Sequence, residues 1–233
     1  MDASVEAVRK SVELLKAKLQ AADVMDDGDR EGNRLGKGPN AMEEDWSSGG
    51  TGSGTTPGLP SSLLELMASH TEASVHALHL MCQSQAFRDR VLQHKELCEN
   101  GGVMRLAYSV LSLAPPGTSI YTKSLTYTIS RMKARILEMV WMLSMAESAS
   151  FLDKAMENLR SRQVATEVAD QVLIHLRAVL LDELEIKDGE FPPGGQLYLN
   201  TLRVADVLSD DTNFRRYIMR RVRAGPLATA DIV

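Results

Sequence analysis

The stretch TISRMKARILEMVWMLSMAESAS, residues 128–150, determines the fold class. Its apolar side chains recur at steps of three and four, which places them on one face of an α-helix: Ile129, Met132, Ile136, Met139, Val140 and Leu143. A second apolar line, Leu137, Trp141 and Met145, makes the middle of the segment apolar on nearly every side. Such a helix is normally buried between neighbours. The stretch therefore predicts the central helix of a helical domain.

Composition agrees with a helical, soluble protein. The chain has 233 residues, 44% hydrophobic and 24% charged, but only 5% aromatic, a balance that favours helices over sheets. A net charge of −5 gives no general attraction to nucleic acid or to anionic membranes. No secretory signal and no run of about 20 apolar residues is present. Two cysteines, Cys82 and Cys98, are expected to be free buried thiols in a reducing compartment.

Four regions are predicted along the chain. Residues 1–22 form an amphipathic helix that could dock on the main domain or on a partner, with one apolar face made of Val5, Val8, Val12, Leu15 and Leu19. Residues 23–61 are rich in Gly, Ser and acidic side chains, which predicts a flexible, disordered linker. Residues 62–224 form an α-helical domain, and 225–233 a frayed tail.

The helical domain is predicted as a succession of helices with short connections. The first begins at Ser61 or Ser62 and is interrupted near His70 and Thr71; others cover 86–99, 103–113, 128–150, 150–159, 162–186 and 196–208. Asp210 or Asp211 caps a final helix. No strand is predicted. The fold class is therefore all-α, either a multi-helix bundle or an armadillo/HEAT-like helical stack, although no repeat at a 40-residue period is visible.

No constellation of side chains predicts an enzyme or a cofactor. Glu72, His76, His79 and Cys82 lie at helical spacing, but successive i+3 steps drift around a helix and no second ligand pair follows. His94 and Cys98 lack further ligands in the same way. The GxSxG elbow is absent, and the Gly-rich run at 49–54 lacks the Lys-Ser/Thr of a phosphate loop. We therefore expect no catalytic, cofactor-binding or metal-binding residue.

The strongest local charge feature is an arginine cluster near the end of the chain: Arg215, Arg216, Arg220, Arg221 and Arg223. It could contact phosphate or serve as a nuclear import signal. The alternative, which we favour, is a solvated helix face with cations well placed at a helix C-terminus. The cluster is retained as a candidate basic contact patch.

Three motifs resemble a known family. They are the Ser-Arg-x-Lys-x-Arg step at 130–135, the Glu-Ser-x-Ser-Phe-Leu-Asp step at 147–153, and a close that runs from Leu199 or Leu202 through Arg-x-Ala-Asp-x-x-Ser-Asp-Asp-x-Asn-Phe-Arg to Arg215. Together they are similar to the helical region of plant nodulin homeobox proteins. The likeness covers roughly residues 60–220, and the Ser-Asp-Asp-Thr-Asn-Phe-Arg stretch is its most specific part.

The resemblance implies a plant nuclear protein that acts in transcriptional or chromatin regulation and binds DNA through a homeodomain. That homeodomain is not visible in this chain, because Trp46 and Trp141 both lack the Trp-Phe-x-Asn surround of a recognition helix. The expected function is a non-catalytic protein-interaction region in the nucleus, with nuclear or chromatin regulators as partners. DNA would be bound only through the missing homeodomain or weakly through the arginine cluster, and no membrane is expected. The alternative is a cytosolic armadillo-like adaptor.

Overall fold

The computed structural model describes residues 2–32, 61–114, 123–146, 150–180 and 193–224, and this part of the chain is all-α with no strand. The prediction of an all-α fold is confirmed. In chain order the helices are α1 (Asp2–Gly32), α2 (Ser61–Cys82), α3 (Gln85–Gln93), α4 (Gly102–Leu111), α5 (Lys123–Ser144), α6 (Phe151–Glu157), α7 (Leu159–Leu180), α8 (Pro193–Asp210) and α9 (Thr212–Ala224).

Helix α1 is part of the same core as the other helices. Its five predicted apolar side chains, from Val5 to Leu19, are all buried within the main hydrophobic cluster. The helix docks on the domain, contacting α2 and α4. Its end lies at Gly32 rather than at 22. Residues 33–60 of the predicted linker and the predicted tail at 225–233 lie outside the described residues.

The long helices form two layers. One layer holds α1, α4 and α7, and the other holds α2, α5 and α8, with α4 and α5 in the middle of their layers. Across the layers, α1 packs on α2, α4 on α5, and α7 on α8. The short helices α3 and α6 precede the second and third of these pairs, and α9 packs on α8 and α7. This is the arrangement of a stack of helical pairs.

Neighbours within the first layer run parallel. Ser109 donates a hydrogen bond to Glu13, and Lys16 Nζ lies 2.9 Å from Ser112 Oγ, so both contacts join residues 96 positions apart. A constant offset at two successive turns requires α1 and α4 to point the same way.

The second layer has the same polarity. Glu72 of α2 meets Arg135 of α5, and further toward the C-terminus of both helices His79 meets Glu138. Both partners advance toward the C-terminus, so α2 and α5 are parallel. Parallel helices within each of two layers are the geometry of armadillo and HEAT stacks, which favours the stack over the bundle among the two predicted architectures.

The structural repeat is longer than 40 residues. Equivalent contacts between successive units join Lys154 to the Leu92 carbonyl, Asn158 to the Glu99 carbonyl, and Asn200 to the Ala134 carbonyl, at separations of 62, 59 and 66 residues. The period sought in the sequence was therefore too short.

Several predicted helix limits are corrected. Helix α2 is continuous through His70 and Thr71, and within it the Thr71 hydroxyl donates to the Met67 carbonyl at 2.8 Å, one turn back. Helix α3 ends at Gln93 instead of 99, since His94 is extended and the chain then makes tight turns. Helix α5 begins earlier than predicted, at Lys123.

The predicted core face of α5 is correct, but its second apolar line is not fully buried. All six side chains of the main line, together with Leu137, are buried. Trp141 is only partly buried and Met145 is 59% exposed. Helix α5 therefore packs on both neighbours in its layer while one edge of it remains at the surface.

Candidate interaction surface

The motif at 130–135 fastens α5 to α2. The carboxylate of Glu72 on α2 accepts from Arg131 at 2.8 Å and from Arg135, whose side chain is 15% exposed. An ion pair shared by two guanidinium groups at a half-buried helix interface fixes the register of the two helices. These two arginines of the family-like motif therefore have a structural role.

The lysine of the same motif is buried. Lys133 is 6% exposed and makes no hydrogen bond or ion pair with any described residue. Burial lowers its pKa to about 8. On α7, the Nε2 atom of His175 is buried and has no hydrogen-bond partner among the described residues, and burial, together with the charge of Lys133, lowers the pKa of His175 to about 4.

The surface edge of α5 carries two cation–π pairs. The Arg131 guanidinium lies 5.6 Å from the centroid of the Tyr127 ring, and the Arg203 guanidinium of α8 lies 4.8 Å from that of Trp141. Tyr127 is 46% exposed and the Arg131 side chain 41%. Met145 extends the row at the C-terminal end of α5. We call Tyr127, Arg131, Trp141, Arg203 and Met145 the α5 row.

Sequence reasoning could have found one of these pairs. Tyr127 and Arg131 are four residues apart on one helix, a spacing at which side chains meet. Trp141 and Arg203 come from different helices, and only the parallel packing of α5 and α8 brings them together. That packing is fixed by Asn200, whose buried amide donates to the Ala134 carbonyl at 2.9 Å.

The second family-like motif forms the start of α6. Ser150 is the N-cap residue, and its hydroxyl accepts from the Asp153 backbone N–H at 3.2 Å. Phe151 and Leu152, which follow it, are buried. The first part of the motif, residues 147–149, lies outside the described residues. The motif therefore specifies a helix start and two core positions.

The third motif turns the chain from α8 into α9. Asp211 is the residue that caps α9, accepting from the Asn213 and Phe214 backbone N–H groups at 2.9 and 3.0 Å. Phe214 is fully buried. Arg215 donates to the carbonyls of Ser209 and Asp210 at 2.6 and 3.1 Å, and so satisfies the end of α8.

Some arginines of the predicted patch bond to other residues of the fold, and others are exposed to solvent. Besides Arg215, Arg221 also bonds within the fold. Its Nε donates to Asp170 Oδ1 at 3.0 Å, and the other carboxylate oxygen of Asp170 accepts from the Tyr217 hydroxyl at 2.9 Å. The hydrogen bond with Asp170 raises the pKa of Arg221. Arg216 and Arg220 are exposed. Arg223 belongs to α9, but its side chain is outside the described part.

The histidines and cysteines considered as metal ligands have other surroundings. The rings of His76 and His79 stack at 6.1 Å, and His79 Nε2 lies 3.1 Å from Glu138 Oε2. Burial, with the positive charge of Arg135, lowers the pKa of His76. Within the described ranges, no group of three or more His, Cys, Asp or Glu side chains could hold a metal ion.

Both cysteines are buried and unbridged. Burial raises the pKa of Cys82 to about 12 and that of Cys98 to about 11, so both are protonated thiols at neutral pH. No helix in the described part of the chain has the length and apolarity needed to span a bilayer.

Comparison with known proteins places the chain in a family. The family model described as the Nodulin N-terminal domain matches residues 57–228, a range that contains α2 to α9 and begins after α1. No curated protein matches the chain. No solved structure matches it either. Since the family model covers most of the chain, and the motifs it shares with the helical region of nodulin homeobox proteins form helix caps, core positions and inter-helix contacts, this protein belongs to the Nodulin N-terminal domain family.

Proposed function

We propose that the chain is a non-catalytic protein-interaction region of a nodulin homeobox-like plant nuclear protein that acts in transcriptional or chromatin regulation. The observation that carries the proposal is the α5 row, a surface line of aromatic, arginine and methionine side chains on the central helix α5 together with Arg203 of α8. Family membership supports the nodulin part of the proposal.

The composition of the α5 row is that of a protein-binding surface. Trp, Tyr, Arg and Met are enriched at interfaces, and the first three dominate their hot spots. The partly buried Trp141 ring is held by the core below it and by Arg203 beside it, so little side-chain entropy remains to be lost on binding. Arg131 is already paired with Glu72, but Arg203 has no carboxylate partner among the described residues and would favour an acidic partner segment.

Two features support a non-catalytic role. The thiols of Cys82 and Cys98 are buried with raised pKa values, which removes the thiolate that nucleophilic catalysis needs. The His79–Glu138 contact lies in the interface between α2 and α5 instead of a cleft. Helix packing alone accounts for the positions of these four side chains, so no catalytic reaction is needed to explain them.

A cross-linking pull-down from plant nuclei with the full chain tests the proposal. The Tyr127→Ala/Arg203→Ala variant should lose partners that wild type captures, by about tenfold or more, because it removes two members of the α5 row. Arg160→Ala, an exposed arginine on α7, is the matched control and should capture them normally. Equal capture by wild type and the double variant would remove the α5 row from the function.

A second candidate is a cytosolic armadillo-like adaptor. The parallel two-layer stack favours it, since such stacks are general protein-binding scaffolds. Tagged protein in plant cells separates the candidates. Nuclear accumulation with nuclear partners supports the regulator, whereas a wholly cytoplasmic chain whose partners are cytoplasmic supports the adaptor.

Weak nucleic-acid binding through α9 is the remaining alternative. Because Arg215 and Arg221 are engaged within the fold, the exposed Arg216 and Arg220 are the residues to test. Binding through them would weaken steeply with salt and would fall in an Arg216→Ala/Arg220→Ala variant. An unchanged affinity in that variant would exclude this patch.

A further inference from the structure

The outward face of α2 is apolar and has no partner helix among the described residues. Positions spaced three, four, three, four and three along the helix are all exposed, and they are occupied by Leu63, Leu66, His70, Ala73, Ala77 and Leu80. This is the a/d spacing of a heptad seam. Leu66 is 65% exposed, Leu80 50% and Leu63 40%. We call these six residues the α2 seam.

On α2 itself, no lysine, arginine, aspartate or glutamate occupies the α2 seam or the positions that flank it. The flanking positions hold Ser62, Met67, Ser69, Ser74, His76 and Met81. The two acidic residues of α2 are Glu65 and Glu72, and Glu72 is turned to the other side, toward the arginines of α5. A surface helix normally carries charge on its outer face, so an uncharged one indicates an interface.

The other end of the stack shows the contrast. Helix α9 covers that end and exposes arginines such as Arg216 and Arg220. Stacks of helical pairs need polar outer faces on their terminal units to remain soluble as monomers. The first pair, α1 and α2, lacks such a face along the α2 seam.

Heterologous coiled-coil partners are selected by charges beside the seam, and these are missing here. A second copy of the same helix meets no charge repulsion on this face, despite the net charge of −5 on the whole chain. The lack of charge therefore favours self-association over a helix of another protein.

The order of large and small residues favours an antiparallel arrangement. With a twofold axis between Thr71 and Glu72, Leu66 faces Ala77 of the second copy and His70 faces Ala73. Leu63 then faces Leu80 at each end. Large side chains meet small ones in the middle, as knobs-into-holes packing requires. A parallel pairing would instead set Leu66 on Leu66 and Ala73 on Ala73, which leaves alternating bulges and gaps.

From these observations we propose that two copies of this chain associate through the α2 seam as an antiparallel, twofold-symmetric dimer. The contact is isologous, so it closes at two copies. A single helix pair is a small contact beside the roughly 1,200–2,000 Å² that stable complexes bury, so we expect a reversible equilibrium between monomer and dimer. This inference concerns a different surface from the α5 row and does not depend on the proposed function.

Sedimentation of the full chain, from low micromolar to several hundred micromolar, tests the proposal. Wild type should pass from monomer to dimer. Leu66→Glu should weaken the dimer by about tenfold or more, because it would bury a charge against Ala77. Leu159→Glu is the matched control: Leu159 is 82% exposed on α7, away from the seam, and its replacement should leave association unchanged.

A charge rescue tests the register. In the Leu66→Glu/Ala77→Lys variant each new carboxylate faces one new ammonium of the other copy, which gives two ion pairs related by the axis, so the dissociation constant should return to within about threefold of wild type. Ala77→Lys alone should weaken the dimer. Far-ultraviolet circular dichroism on every variant confirms that the monomers are folded.

Several results would overturn the proposal. A wild type that stays monomeric throughout the range excludes the dimer. A dimer that ignores Leu66→Glu, or that Leu159→Glu disrupts equally, uses another face. Restoration on mixing Leu66→Glu with Leu66→Lys chains, without rescue by Ala77→Lys, would show a parallel dimer instead of the antiparallel one.

Discussion

Replacement of the buried Lys133 by methionine should stabilise the protein at neutral pH. Lys133 is 6% exposed in the middle of α5, and burial lowers its pKa from 10.5 to about 8. At pH 7 the ammonium is charged in both the folded and the unfolded chain, so the folded state carries the full cost of burying it. Methionine has similar length and no charge, and it should remove that cost.

The size of the effect follows from the two pKa values of Lys133. Between pH 8 and pH 10.5 the unfolded chain holds the proton and the folded chain has released it, so this group makes stability rise with pH. A gap of that width corresponds to about 3 kcal/mol. The stability advantage of Lys133→Met over wild type should therefore be about 3 kcal/mol at pH 7 and should shrink toward zero as the pH approaches 10.5.

The difference between the two proteins is the quantity to measure, because other groups titrate in the same range. Burial raises the pKa of Cys82 and Cys98, so above pH 9 the unfolded chain loses thiol protons that the folded chain keeps, and stability falls. These thiols are present in both proteins and cancel in the difference. Urea unfolding of wild type and Lys133→Met from pH 7 to pH 10 gives the required curve.

A control variant and an NMR titration accompany that assay. Lys123→Met removes an exposed lysine from the same helix and should change stability by no more than about 0.5 kcal/mol. The charge of Lys133 contributes to lowering the pKa of His175, so that pKa should rise in Lys133→Met, as NMR titration would show. A pH-independent difference in unfolding free energy, or a variant less stable than wild type at pH 7, would refute the reasoning.

Three other changes have defined outcomes. Gly101→Ala should lower the free energy of unfolding in urea by about 2 kcal/mol, because Gly101 has φ +73° and a Cβ there would lie 3.1 Å from Ser161 Cβ. Gly195→Ala is the control: a Cβ at this position in α8 meets no atom within 4 Å, so stability should be unchanged or slightly raised. Glu72→Gln should cost about 2 kcal/mol, since it leaves the half-buried Arg135 without its counter-charge; equal stability would contradict the role of the shared ion pair. Thiol reagents should modify Cys82 and Cys98 only after denaturation, and rapid reaction in the native protein would show that they are accessible.

Periodicity was sufficient to predict the elements that face the core. The apolar line from Val5 to Leu19 on α1 and the main line of α5 lie where their spacing places them, because a helix face can be buried only against another apolar surface. Limits set by local hydrogen bonds were harder to predict. Helix α2 continues through the predicted interruption near His70 and Thr71, where the Thr71 hydroxyl finds an acceptor on the preceding turn.

Contacts between helices that are far apart in the sequence could not be predicted from the sequence. Lys133 lies among apolar neighbours of α5, yet long basic side chains usually reach solvent, so its burial depends on how α5 is covered. Trp141 reads as a core residue until α8 places Arg203 over its ring. Which arginines of the predicted patch are free could not be predicted either, because only the fold brings Arg221 to Asp170.

The repeat is invisible in the sequence because each layer contact uses different chemistry. Between α2 and α5 the register is set by a carboxylate, Glu72, that holds Arg131 and Arg135. One unit further, between α5 and α8, it is set by the Asn200 amide on a backbone carbonyl. A stack requires only that each face be complementary to the next, since every unit contacts its neighbours alone. Similar geometry can therefore persist without similar residues. Among the described helices, α9 covers one end of the stack, whereas at the other end the apolar α2 seam remains to be covered by a further helix.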